Sequence, residues 1–176
     1  MSDVGGITGS PGVNGTSSTS PPGPLTVANA LAALRRHTYA SLEISDSAQN
    51  IAKNLDTLQG FASKITAVTT TDVGKTMSVT GAQYTKDGAI LALWGAESGQ
   101  TLTVTAAKAS QVSTLAANVT SVSVADSRSN IQTHLDDLQT VAASGLLHEI
   151  AQTGTAGNLS ITTEQLANDQ TALSKI

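Results

Sequence analysis

Cysteine is absent from this sequence, which excludes disulfide bonds and thiolate metal sites. Aromatic residues are almost as scarce, at 2% of the chain: Tyr39, Phe61, Tyr84 and Trp94. The hydrophobic core must therefore be built from Ala, Leu, Ile and Val. Side chains of this kind pack in regular layers, which suits repeated helices and strands.

Charge is also sparse, because Asp, Glu, Lys and Arg together make up 12% of the chain, about half the usual share. The net charge is −4 and the one basic pair is Arg35 and Arg36, so no basic patch is present to meet the phosphates of a nucleic acid. No apolar run approaches the roughly 18 residues that cross a membrane. We therefore expect neither a nucleic-acid partner nor membrane insertion.

The first residues, MSDVGGITGSPGVNGTSS, lack the basic and apolar regions of a Sec signal peptide. Ser, Thr, Asn and Gln supply most of the polar surface, a composition common among secreted and surface proteins. We expect an extracellular or cell-surface protein without a Sec signal peptide.

The most informative feature of the sequence is an internal duplication. Residues 41–59 read SLEISDSAQNIAKNLDTLQ, and residues 121–139 read SVSVADSRSNIQTHLDDLQ, with nine of nineteen positions identical. A second pair follows, because Leu159–Thr162 (LSIT) resembles Met77–Thr80 (MSVT), and Gln165, Asp169 and Leu173 continue the match to Gln83, Asp87 and Leu91. Duplication of this kind indicates a repeat protein, with related units at about 41–100 and 121–176.

Short β-branched segments alternate with amphipathic segments along residues 25–176. The predicted strands include 41–45, 65–71, 77–80, 101–105, 120–125 and 159–162, and the predicted helices include 46–62, 83–94, 107–118, 126–144 and 163–175. Such alternation demands parallel strands, since each helix crosses back over the sheet. We predict an α/β solenoid of stacked strand–helix units, with a parallel sheet and helices mainly on one side.

Residues 1–24 form a separate zone rich in Gly, Ser and Pro. Glycine recurs every third residue at Gly6, Gly9, Gly12 and Gly15, but four triplets are too few to hold a collagen triple helix. We interpret the zone as an extended segment that cannot fold alone. These glycines, together with Trp94, are candidate contacts with a neighbouring subunit.

The recurring aspartates Asp46 and Asp126 could be metal ligands or catalytic carboxylates, or they could cap helices. We predict helix caps, because Asp is a favoured N-cap and capping explains why both recur. His134, Asp137, His148 and Glu149 could assemble a metal site. Asn54 and Thr57 replace His134 and Asp137 in the first unit, so we predict no metal and no cofactor.

Val73–Thr76 (VGKT) looks like the end of a phosphate-binding loop, but Thr69 stands where the first glycine is required. No catalytic motif is found elsewhere, and we expect no enzymatic activity.

The segments SLEISDSAQNIAKNLDTLQ, MSVTGAQYTKDGAILAL and TLTVTAAKASQVSTLAANVTSVSVADS resemble modules repeated in very large alphaproteobacterial surface proteins of adhesin-like or hemolysin-like character. The resemblance covers residues 25–176 and implies a secreted protein associated with type I secretion. We therefore expect a structural protein that self-assembles into a filament or surface layer, with the N-terminal segment docking on a neighbour. The alternative is an adhesin-type module that recognises a glycan or host surface.

Overall fold

A computed structural model describes residues 20–96, 99–155 and 157–176. Helices and strands alternate along these residues. The helices are α1 (Val27–Arg35), α2 (Ala48–Lys53), α3 (Leu55–Gln59), α4 (Gly81–Lys86), α5 (Gly88–Gly95), α6 (Arg128–Thr133), α7 (Leu135–Ala143), α8 (Thr163–Asn168) and α9 (Gln170–Leu173). The strands are β1 (Leu42–Asp46), β2 (Ile65–Thr70), β3 (Thr76–Thr80), β4 (Thr101–Ala107), β5 (Val119–Ser127) and β6 (Leu147–Thr153). Two 3₁₀ helices, Ala62–Lys64 and Ala109–Thr114, complete the regular structure of the described residues.

The strands form a two-stranded sheet, β1–β2, and a four-stranded sheet, β3–β4–β5–β6. Every pair in these sheets is parallel. Leu25 adds an isolated parallel bridge to Ile44 of β1. The prediction of an α/β fold with parallel strands is confirmed. Its physical basis is that each short helix returns the chain to the end of the sheet at which the next strand begins.

One apolar core runs through both sheets. Alternate residues of the strands point into it, as Met77 and Val79 do in β3 and as Leu102 and Val104 do in β4. Leucines and isoleucines of the helices pack over these strand residues, as the low aromatic content predicts, and Trp94 is the one aromatic side chain among the fully buried residues.

Four of the predicted helices are each divided in two at a polar residue. Asn54 separates α2 from α3, and His134 separates α6 from α7. Asp87 and Asp169 divide the other two helices in the same way. The four residues share φ between −104° and −109°, outside helical geometry. The prediction of continuous helices is therefore wrong, because the apolar stripe continues across each break and hides it in the sequence.

Two further elements differ from their predictions. Residues 107–118 are predicted as a helix, but β4 extends through Ala107, which pairs with Val124, and only a 3₁₀ helix follows. Residues 159–162 are predicted as a strand, but they are irregular. The four residues resemble Met77–Thr80 of β3 in sequence, yet no described strand lies beside them as β4 lies beside β3.

Candidate assembly surface and carboxylate pairs

Asp46 and Asp126 make the same set of hydrogen bonds. Oδ2 of Asp46 accepts from the backbone nitrogen of Val27 at 2.9 Å, and Oδ2 of Asp126 accepts from that of Ala109 at 3.0 Å. In each residue Oδ1 accepts from the next backbone nitrogen and from an asparagine amide four residues on, Asn50 or Asn130. Each carboxylate therefore joins the end of its strand to a neighbouring helical turn.

The N-caps of α2 and α6 are not these aspartates. Ser47 and Ser127 are the caps, and their hydroxyls accept from the backbone nitrogens of Asn50 and Asn130 at 3.2 and 3.3 Å. The position predicted for the helix cap is thus displaced by one residue. The aspartates belong to the strands, which leaves their carboxylates free to reach the segment beside them.

The environment of these two carboxylates lowers their pKa. Burial raises the pKa of Asp126, but hydrogen bonds from Asn130, Ala109 and Ser127 and the charge of Lys108 outweigh burial. Asp46 is affected in the same way by burial and by hydrogen bonds from its own three donors. Both groups are therefore structural anions, and every oxygen has a donor.

A glutamine supports the start of the last helix in each unit. Oε1 of Gln59 accepts from the backbone nitrogen of Ile90 at 3.1 Å, and Oε1 of Gln139 accepts from that of Ala172 at 2.9 Å. A backbone nitrogen in the first turn of a helix has no partner within the helix. The repeated glutamine supplies it, which explains why this residue occurs in both copies.

The segment 101–118, which follows the first unit in the chain, covers that unit closely. Beyond the ladder between β3 and β4, a Cβ on Gly81 would lie 2.6 Å from Cα of Ala107. The amide nitrogen of Gln111 donates to the backbone oxygen of Gly81 at 3.0 Å. The Tyr84 hydroxyl accepts from the backbone nitrogen of Ala116 at 2.7 Å. This covering leaves Met77, Val79 and Trp94 with almost no exposed surface.

The corresponding residues of the second unit are apolar but uncovered. At a spacing of 82 residues, Leu159 corresponds to Met77, Ile161 to Val79, Leu166 to Tyr84 and Ile176 to Trp94. Leu166 is 54% exposed and Ile176 is 45% exposed, whereas Trp94 is 0% exposed. Leu159 and Ile161 are half-buried. We call Leu159, Ile161, Leu166 and Ile176 the end face.

The predicted subunit contacts do not coincide with the end face. Gly6, Gly9, Gly12 and Gly15 lie outside the described residues. Trp94 belongs to the core of the chain, so its side chain is not presented to a neighbour. Its repeat counterpart, Ile176, is the exposed residue, and the spacing of the duplication was the signal that could have identified it.

Hydroxyl side chains line up across one face of the four-stranded sheet. Ser78 is in register with Thr103, and Thr103 with Ser121. In the neighbouring row Thr76 and Thr101 share a hydrogen bond of 2.8 Å. These side chains are exposed or half-buried, whereas the alternate residues of the strands are buried. The two rows form a polar strip without charge.

Each unit also contains a pair of neighbouring aspartates. Asp87, which is fully buried, pairs with Asp56, and Asp169, which is 3% exposed, pairs with Asp136. No hydrogen-bond donor reaches either carboxylate oxygen of Asp87 or Oδ2 of Asp169. Burial, the charge of the partner and the contact with it raise the pKa of both Asp87 and Asp169. All four aspartates recur in the duplicated sequence, which is the signal that could have identified these pairs.

A lysine accompanies the first pair but not the second. Nζ of Lys86 lies 3.0 Å from Oδ1 of Asp56, and its charge acts to lower the pKa of Asp87. Asn168 occupies the equivalent place in the second unit. A cavity of about 370 Å³ lies there, lined by Asp136, Thr162, Glu164, Gln165, Asn168 and Asp169. Its lining contains no cationic side chain.

The metal site considered from sequence is not assembled. Nδ1 of His134 lies 3.1 Å from Oδ2 of Asp137, but His148 and Glu149 are exposed residues of β6. No group of three or more His, Cys, Asp or Glu residues in the described ranges is placed to hold a metal ion. The VGKT segment leads into β3 and not into a helix, so it lacks the geometry of a phosphate-binding loop.

None of the helices in the described ranges combines the length and the apolar character that a membrane-spanning helix needs. Comparison with known proteins finds no matching family model, no matching curated protein and no matching solved structure.

Proposed function

We propose that this chain is a non-enzymatic, extracellular structural protein that assembles with copies of itself into a filament or surface layer. In this proposal the chain is a two-unit segment of an α/β solenoid with its helices mainly on one side, and a second copy continues the stack. The end face carries the proposal, because its four apolar residues stand where the first unit places residues that the segment 101–118 covers.

Burial of the end face would be favourable. Covering Leu166 and Ile176, which are about half exposed, removes apolar surface from water. Each Å² of apolar surface removed stabilises the contact by about 25 cal/mol. A contact between one end of a stack and the opposite end of another does not close on itself, so it produces an open filament. The low charge of the chain supports the proposal, because few like charges oppose association.

The segment before Leu25 is the proposed partner of the end face. Leu25 pairs with Ile44 as Ala107 pairs with Val124, and Ile44 and Val124 are repeat equivalents. Residues 20–24 therefore come just before the pairing of Leu25 with β1, as most of β4 comes just before the pairing of Ala107 with β5. In a second copy this segment would lie against Leu159–Thr162, as β4 lies against β3. Pro21, Pro22 and Pro24 cannot donate backbone hydrogen bonds, so side-chain packing would contribute most of the contact.

The contact between copies would be looser than the contact within the chain. Thr163 stands where the first unit has Gly81, and its Cβ prevents the close approach that Gly81 permits to Ala107. We therefore expect reversible assembly that depends on protein concentration. The non-enzymatic part of the proposal is supported by the structural roles of Asp46 and Asp126, whose oxygens are all used by local donors.

The test is light scattering coupled to size-exclusion chromatography over a range of protein concentrations. We expect the wild type to grow in mass with concentration, and Leu166→Asp and deletion of residues 1–24 to remain monomeric. Val73→Asp is the matched control, because Val73 is an exposed apolar residue in the turn before β3 and outside the end face. It should assemble like the wild type.

A wild type that is monomeric at every concentration would refute self-assembly.

The hydroxyl strip through Ser78, Thr103 and Ser121 favours the second candidate function, an adhesin-type module that binds a glycan or host surface. Binding to a glycan array by the monomer, lost on replacement of Thr103 by Val, would support that function.

A further inference from the structure

We propose that the Asp136–Asp169 pair binds a hard cation, Ca²⁺, in the place that the Lys86 ammonium takes in the first unit. The inference does not depend on the proposed assembly, because it concerns the cavity between α7 and α8 of one chain.

The first observation is the unmatched charge of the second pair. Asp169 is almost fully buried, its Oδ2 has no donor, and Asp136 is its charged neighbour. Burying a carboxylate without a compensating partner is costly. In the first pair, Lys86 supplies a positive charge 3.0 Å from Asp56. The equivalent residue Asn168 carries none, so the second pair needs its positive charge from solution.

The second observation is the chemistry of the cavity. Besides the two aspartates, its lining offers the Glu164 carboxylate, the amide oxygens of Asn168 and Gln165 and the Thr162 hydroxyl. Glu164 has no counterpart in the first unit, where the residue is Ala82. The unit that lacks the lysine is thus the unit that gains an additional carboxylate. Both differences make the cavity of the second unit more attractive to a cation.

The donor set favours calcium. Ca²⁺ accepts six to eight oxygen ligands in flexible geometry, whereas Mg²⁺ requires a near-ideal octahedron. No three carboxylates in the described residues form a ready-made site, so two carboxylates would bind the ion together with amide and hydroxyl oxygens and water. Such a site is weak, and we expect a dissociation constant of about 1 mM, as in extracellular calcium modules.

The test uses the full chain, freed of metal with a chelator and measured by calorimetry at neutral pH. In 10 mM CaCl₂ we expect the melting temperature of the wild type to rise by about 4 °C relative to NaCl of equal ionic strength. Titration calorimetry should show one ion bound per chain. Asn168→Lys, which restores the lysine of the first unit, should remove the response to CaCl₂.

Two controls separate binding from changes in charge or folding. Ser129→Lys adds the same charge at an exposed residue of α6 that does not line the cavity, and it should respond like the wild type. Asp136→Asn alters an exposed ligand and should lose the response while remaining folded. Equal stabilisation by NaCl or MgCl₂, or a full response in Asn168→Lys, would overturn the proposal.

Discussion

Asp126 secures a helical turn that lies before it in the chain: its Oδ2 accepts a hydrogen bond from the backbone nitrogen of Ala109 at 3.0 Å. Asp46 holds Val27 in the same way in the first unit. The duplicated motif therefore joins neighbouring elements, and its most distinctive residue is a cross-link and not the start of a helix.

Replacing Asp126 by Ala should destabilise the protein by about 2–3 kcal/mol, because the buried backbone nitrogen of Ala109 and the side-chain amide of Asn130 lose their acceptor. Urea denaturation measures the change. Asp137→Ala, which removes a half-buried carboxylate outside this network, should change stability by less than about 0.5 kcal/mol. Similar losses in both variants would contradict a special role for Asp126.

The stability supplied by Asp46 and Asp126 should disappear in acid. Hydrogen bonds hold the pKa of both carboxyls below the usual value near 3.8, although burial opposes them. Because the folded-state pKa is lowered, this stability is present above the unfolded pKa and is lost as pH falls through the folded pKa. A pH series of urea midpoints should show a decline below about pH 4 that is weaker in Asp126→Ala.

Asp87 and Asp169 should have the opposite pH dependence. Burial, with the charge of Asp56 or Asp136, raises the pKa of each group. The folded protein therefore holds these protons more tightly, and stability is lost as pH rises from the unfolded to the folded pKa. Asp87→Asn should raise the free energy of unfolding by about 1 kcal/mol at pH 7, because the amide can donate a hydrogen bond to Asp56. At low pH the substitution should leave the free energy of unfolding unchanged. An equal gain at both pH values would contradict this prediction.

Gly81 should tolerate no side chain. A Cβ at this position would lie 2.6 Å from Cα of Ala107, so Gly81→Ala must move the first unit relative to the segment 101–118 that covers it. We expect a loss of about 1–3 kcal/mol in thermal unfolding. Thr163→Ala, the repeat equivalent, is exposed and should cost less than about 0.5 kcal/mol. An equal effect of the two substitutions would mean that the contact between the first unit and the segment 101–118 is loose.

The repeated glutamines offer a matched pair of tests. Gln59→Ala leaves the backbone nitrogen of Ile90 without its acceptor, and Gln139→Ala does the same to Ala172. Each change should cost about 1–2 kcal/mol, and the double variant should lose close to the sum because the sites lie in different units. Chemical denaturation of the three variants provides the measurement.

The alternation of strands and helices was predictable, because apolar and β-branched periodicity follows from which side chains face a core. The helix breaks at Asn54 and His134 were not, since the stripe of apolar residues runs past both. The role of Asp46 was also hidden, because its partner Val27 lies in another element and no local pattern encodes that contact. The end face and the aspartate pairs become visible only when burial distinguishes residues that the duplication makes equivalent.

The order of the strands has a consequence for how the chain acquires its structure. Each pairing in the two sheets joins strands that are consecutive in the chain, β1 with β2 and then β3 through β6 in sequence. In the described ranges, no strand of the two sheets pairs with a strand that is distant in the chain order. A chain that emerges gradually, from a ribosome or a narrow pore, can therefore add one strand and helix at a time to the structure already formed.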